Sequence, residues 1–221
     1  MTSGSRRSGR SKAAGARPLL SEGALAGIER HLTDRERRRA ELAERARRLR
    51  RAAQTAMAHL HEGRPIGREI ALVQAETGEL VRWIDRHAAS DAGLAHDALQ
   101  ESVEASLLYA LHRGESLPTP AELRVEPESY LSGLADVVGE IRRLILHELS
   151  TGNVAAAEAR MARLEDLYRL LLRFETTRAI LPLKPKQDAA RGILERTRGD
   201  VTMARLLHRA RLPPEPAPEG A

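Results

Sequence analysis

Residues 130–143 read Tyr130-Leu-Ser-Gly-Leu-Ala-Asp-Val-Val-Gly-Glu-Ile-Arg-Arg143. Leu131, Leu134, Val138, Ile141 and, just past the stretch, Ile145 recur every three or four residues. That spacing marks the buried face of an α-helix. Asp136, Glu140 and Arg143 occupy the opposite side of the same wheel. Pro127 suits the first turn, where its missing N–H leaves no bond unmade, and Thr151-Gly152 marks the end. The stretch before it is built the same way. Leu99, Val103, Leu107, Ala110 and Leu111 form an apolar stripe, with Glu104 and Glu101 on its shoulder and beyond. Each helix thus carries two carboxylates on one face, Glu101 with Glu104 at i, i+3 and Asp136 with Glu140 at i, i+4.

Outward from this pair, helix punctuation continues along the chain. A short helix is predicted over 22–31. Thr33, three residues before Glu36, makes a capping box that opens a long helix to His61. Gly63, Pro65 and Gly67 interrupt, and a helix follows over 68–88 with Ile70, Val73, Leu80, Val81 and Ile84 apolar. Asp91 is the expected N-cap of the helix over 91–113, and Gly114 its stop. Leu117–Pro120 leads into a turn at 120–124. Asn153 caps a helix to about Thr177, and Leu181–Pro185 reads as extended because residues before proline resist the α region. A helix over 186–197 and another capped by Asp200 complete the body. The expectation is an all-α bundle of seven or so helices over 18–212. Residues 1–17 read as a disordered basic tail and 213–221 as a proline-rich one. No internal repeat is visible.

Composition agrees. The 221 residues include one Phe, one Trp and three Tyr, so the apolar share of 42% is mostly Ala and Leu. Sandwiches and barrels lean on β-branched and aromatic residues, so an all-β fold is not expected. With no cysteine, disulfides, thiolate–zinc sites and Cys nucleophiles are excluded as well. No apolar run approaches the roughly 20 residues that span a bilayer. The basic start has no apolar stretch behind it, so a cytoplasmic protein without membrane attachment is expected. Net charge is +5, and only three of the 36 basic residues are lysines, Lys12, Lys184 and Lys186. Arginine's planar fork suits phosphate. GC-rich coding produces the same bias, so the charge permits nucleic-acid binding without establishing it.

Most polar residues have a plain reading. The charged run from Arg35 to Arg51 is a solvated helix face with Glu and Arg at helical spacing. His59 and His61, at i, i+2, cannot share a face, and the remaining histidines are scattered. Trp83 reads as core, and Met161, Leu164, Leu167, Tyr168 and Leu171 as a packing face. The acidic pairs read as solvated faces if their helices stand apart. If the faces met, four carboxylates would converge and require a cation, for which hard oxygen donors select Mg²⁺ or Mn²⁺. Such a site beside basic residues can hydrolyse phosphodiesters. Spacing alone does not show that the faces meet.

Longer motifs carry a resemblance. Leu99-Gln-Glu-Ser-Val-Glu-Ala105 resembles the L-Q-E-Y-V-E-A stretch of translin-associated factor X. Tyr130–Arg143 resembles the Y-L-x-G-x-A-D-x-x-G-E-L-x-R segment of the translin family. Arg35–His61 is similar to the family's long first helix with its I-x-x-x-H-like end, and Lys186–Arg191 to the K-x-D-x-A-R segment of its prokaryotic members. The likeness covers about 33–204. It implies an all-α, seven-helix subunit that assembles into a hollow octamer around single-stranded RNA or DNA. In the factor X-like subunits it implies a metal-dependent endoribonuclease whose acids fall on Glu101, Glu104, Asp136 and Glu140.

On that resemblance the expected function is Mg²⁺-dependent cleavage of single-stranded RNA in a homo-oligomeric chamber, with Mn²⁺ as a possible substitute. Glu104 and Glu140 are the expected direct ligands, and Glu101 and Asp136 complete the shell. Arg143, on the face of Asp136 and Glu140, would offset substrate charge, with Arg142, Lys184, Lys186 and Arg191 as further phosphate contacts. The rival readings are a non-catalytic binder of single-stranded RNA or DNA and a purely structural scaffold. Two departures stand out. Ser102 replaces the motif's Tyr, which would enlarge or wet the site, and Pro185 replaces a basic residue.

Overall fold

The computed structural model describes residues 19–87, 92–174 and 182–211. Among these every regular element is helical. In chain order they are α1 (Glu22–His61), α2 (Gly67–His87), a single 3-10 turn (Ala92–Ala95), α3 (His96–Arg113), the one-turn α4 (Pro120–Leu123), α5 (Pro127–Ser150), α6 (Val154–Leu172) and α7 (Lys184–Arg211). The expected tails, 1–17 and 213–221, lie outside the described residues. No described helix is long and apolar enough to cross a membrane.

The chain divides into two compact units, residues 1–38 and 39–221. In the first, Arg37 pairs with Asp34 at 3.0 Å along the helix, and Leu25, Ile28 and Leu32 are exposed. The second holds the core and every residue of the acidic quartet.

Two expected breaks are absent. The short helix over 22–31 and the long one after it are one helix, and Thr33 lies inside α1 rather than at its cap. No proline falls between Glu22 and His61, and a threonine in mid-helix costs too little to end it. The last two expected helices are likewise one. Gly199 lies inside α7, flanked by the buried Leu194, Thr197 and Val201. One interior glycine costs about 1 kcal/mol, less than burying those side chains returns. Pro185 sits in the first turn of α7, where it is tolerated. The 3-10 turn precedes α3, whose N-cap position is Ala95, and Asp91 lies outside the described residues. Asn153 caps α6 as expected, its side chain accepting the Ala156 N–H at 3.3 Å, but the helix stops at Leu172 rather than near 177.

α5 packs against α3, α6 and α7. Its buried Leu134, Val137, Val138 and Ile145 meet Val103, Leu107 and Leu108 of α3 and Leu164 and Leu171 of α6 in one core, which Leu42 and Leu49 of α1 also enter. Fully burying each such side chain stabilises the fold by about 1.5–3 kcal/mol. Trp83 is core, as read, and stacks on His87 with ring centroids 4.2 Å apart.

The α3–α5 contact is unusually close. A Cβ on Gly133 would stand 2.7 Å from the Gln100 carbonyl oxygen and 2.8 Å from the Val103 side chain. Only a residue without a side chain lets the two backbones approach this far. That approach turns the faces of Glu101 and Glu104 toward those of Asp136 and Glu140.

Candidate active site

The acidic residues of α3 and α5 are not solvated faces. Gln100, next to Glu101, donates its side-chain amide to Asp136 across the helix pair. The four carboxylates share one region, into which α1 sends Arg50 and His61 and α7 sends Lys186.

Glu104 is the most enclosed of the four, 9% exposed. Its carboxyl is pushed up to about 8, first by burial and then by the charges of Asp136, Glu140 and Glu101, with Lys186 acting the other way. Among the described residues no cation pairs with it directly. Its three neighbours each have a cationic or hydrogen-bonding partner. Arg50 Nε lies 3.0 Å from Glu101 Oε1, while Glu101 Oε2 is buried without a hydrogen-bond partner. Burial pushes the Glu101 carboxyl up, opposed by Arg50 and Gln54. Lys186 Nζ donates to both Asp136 oxygens at 2.7 and 2.8 Å. His61 Nε2 contacts Glu140 Oε2, and Arg143 stands 3.9 Å from the same oxygen. The His61 contact is the main reason the Glu140 carboxyl lies below its usual value, against burial.

Among the described residues no three His, Cys, Asp or Glu side chains are gathered tightly enough to hold a metal ion as they stand.

The basic candidates separate. Lys186 stands among the acids, bonded to Asp136. Arg142 is drawn inward, donating to Thr197 at 2.8 Å and pairing with Asp200 at 2.9 Å, which ties α5 to α7. Lys184 pairs with Asp188 at 2.9 Å, and Arg191 donates to the Tyr168 hydroxyl at 3.0 Å. Arg143 remains 66% exposed at the rim of the quartet. Ser102 does not widen the acidic site. Its hydroxyl donates to the Leu99 carbonyl at 2.7 Å, and it lines a separate cavity of about 360 Å³ with Thr77, Ser106, Gln74 and Arg124. The reason is helical geometry, which sets position 102 about 100° from 101 and 200° from 104.

Sequence reasoning missed Arg50, Gln100 and His61 as parts of this site. Arg50 was hidden in a run of like residues, and Gln100 stood inside its motif between Leu99 and Glu101 without being given a role. His61 had one visible signal, its place as the last residue of α1.

No protein-family model matches the chain. The protein MJ0175 of Methanocaldococcus jannaschii is 42% identical over 103 residues, 46% of each chain, so the present chain spans about half the length of that relative. Solved structures align over far more. AfC3PO in a complex with duplex RNA superposes with a TM-score of 0.76 at 29% identity, covering 83% of this chain and 97% of that one. AfC3PO alone gives 0.68, also at 29% identity, covering 86% and 100%. These are translin-family assemblies, and the likeness carries both fold and sequence along nearly their full length.

The chain is similar to these C3PO structures in both fold and sequence.

A further solved structure, apo-NeC3PO, has a TM-score of 0.75 at 22% identity, covering 85% and 100%, and supports the fold alone. The family resemblance to factor X-like subunits implies a divalent cation, and the donor set can be tested against it. Four carboxylates supply hard oxygen. Among the described residues one buried oxygen, Glu101 Oε2, lacks a hydrogen-bond partner, and the Glu104 carboxyl is pushed up to about 8 first by burial and then by the neighbouring acids. Both features are what a small dication would relieve, so the translin-type quartet fits Mg²⁺ or Mn²⁺.

Proposed function

We propose that this chain is a divalent-cation-dependent endoribonuclease that cuts single-stranded RNA, working as a closed homo-oligomer of eight copies. One observation carries the reading: Glu104, which pairs with no cation among the described residues, is pushed up to about 8 by burial and by the charges of Asp136, Glu140 and Glu101. The complex of AfC3PO with duplex RNA supports RNA as the polymer.

Glu104 and Glu140 would hold the ion, with Glu101 and Asp136 completing the shell. A bound dication supplies Lewis acidity toward a phosphate oxygen and lowers the pKa of an attached water. The chain's own residues prepare the place. Lys186 neutralises Asp136, so that four acids coexist without full mutual repulsion. Arg143, exposed at the rim, meets the negative charge of an arriving phosphodiester. Lys184 is half-buried and Arg191 exposed, and each can exchange a weak partner for a phosphate.

A second reading, binding of RNA without cleavage, draws on the ion pairs that Arg50 and Lys186 already make with Glu101 and Asp136. One assay separates the two. Labelled single-stranded RNA should be cut internally in Mg²⁺ and left whole in chelator. Affinity should decline linearly with the logarithm of salt concentration as phosphate counterions are released. Salt-dependent binding with no cleavage in Mg²⁺ or Mn²⁺ would select the second reading.

A further inference from the structure

His61 is the final residue of α1, where the chain reverses through Gly63 at φ +72°. The two histidines at this end diverge. His59 Nδ1 lies 3.0 Å from Glu69 Oε1, which fastens the end of α1 to the start of α2. His61 points the other way, across 79 positions of sequence, to Glu140. Its side chain is only 7% exposed and is flanked by the buried Leu60. A buried imidazole on a helix end braced from both sides has little freedom to turn.

The contact has a definite polarity within the carboxylate. His61 Nε2 and, more distantly, Arg143 both address Glu140 Oε2. No described residue engages Oε1. Glu101 is held in the same manner, its Oε1 beside Arg50 and its Oε2 orphaned. Two of the four acids therefore have one oxygen fixed by a neighbour and one left open. This is how outer partners orient carboxylates around a hard cation.

We propose that His61 is a positioning residue for cation binding, fixing Glu140 by one oxygen so that the other is presented to the ion. The inference rests on the metal-dependent reading above. His61 does not itself act on substrate. Its Nε2 is spent on Glu140, and its ring is too enclosed to reach a phosphodiester. Loss of a partner of this kind lowers metal affinity by roughly 10–100-fold.

The test is calorimetric titration of the metal-free full-length chain with MnCl₂, which needs no RNA and no turnover. Four variants are compared with the wild type: H61L, H61Q, H61N and E140Q. Gln can place an amide N–H near the position of Nε2, whereas Asn is too short to reach Glu140. E140Q and H61L should each bind Mn²⁺ roughly 10–100-fold more weakly. H61Q should stay near wild type and H61N should resemble H61L. Circular dichroism checks that each is folded. If H61L does not fold, the Gln–Asn pair decides, since both place a polar amide at the same position. Weak binding by E140Q with wild-type binding by H61L, or equal affinities for H61Q and H61N, overturns the role of His61 and leaves the metal reading standing. Wild-type binding by E140Q overturns the metal reading, and this inference with it.

Discussion

Gly133 of α5 lies so close to Gln100 of α3 that an added Cβ would stand 2.7 Å from the Gln100 carbonyl oxygen. Backbone cannot yield as a side-chain tip can, so the two helices would have to part. The same contact aligns the Gln100 side chain with Asp136 and brings the two acidic pairs onto one surface.

Gly133→Ala should therefore destabilise the fold by about 1–3 kcal/mol, the usual cost of overpacking a tight interior. It should also lower Mn²⁺ affinity, because the acidic pairs separate. Urea unfolding and Mn²⁺ titration of the variant check both. Unchanged stability would mean that the helices do not approach as described.

Glu104 gives stability a definite pH dependence. Its folded pKa, about 8, lies above the ordinary value of 4.5. A carboxyl shifted upward contributes most below the unfolded pKa, and its contribution is lost as pH rises toward the folded one. Between about pH 4.5 and 8 the metal-free wild type should lose stability that Glu104→Gln keeps. Denaturation in chelator at pH 5 and pH 8 should give a gap that widens with pH, and added Mn²⁺ should narrow it. A gap that shrinks as pH rises would contradict the placement of Glu104.

Lys186→Met should leave Asp136 with only Gln100. The pair is about one-third exposed, so the cost to the metal-free fold should be about 1 kcal/mol or less. Mn²⁺ should restore more stability to this variant than to the wild type, since the ion would meet an uncompensated acid. Thermal melts with and without Mn²⁺ read this directly.

Arg142→Ala separates two roles. The side chain bonds Thr197 and Asp200, so its loss should cost about 1 kcal/mol, the charge of the part-exposed Asp200 being screened by solvent. As a phosphate contact it would instead reduce the salt slope of RNA binding by about one. The structure predicts the stability loss with the slope unchanged, measurable by unfolding and by binding at several salt concentrations.

Much of this architecture is written in local pattern. The stripes of 99–111 and 131–145, Pro127, Gly114 and Asn153 each act through their own helix, so each is readable from neighbours in sequence. The breaks imagined at Thr33 and Gly199 fail because a residue that merely permits a helix end does not impose one. Packing of Leu194, Thr197 and Val201 carries α7 through Gly199. In the site, the acids were legible from spacing and motif because their partners on each helix are three or four residues away. His61, Arg50 and Lys186 reach them from 79, 51 and 50 positions off. Motifs mark His61 and Lys186, but nothing local shows which acid each of the three reaches. The close approach at Gly133, which turns two ordinary acidic faces into one site, depends on a contact between helices that no single-helix wheel displays.

The central claim is that the converged carboxylates cut RNA, and cleavage of single-stranded RNA by Glu104→Gln tests it most directly. The amide keeps the shape of Glu104 and removes the charge a dication needs. The variant should remain folded and bind RNA at least as well as the wild type. Its cleavage in Mg²⁺ or Mn²⁺ should fall below detection, while Glu165→Gln, at a surface pair with Arg198, cuts normally. Wild-type cleavage by Glu104→Gln would contradict the account.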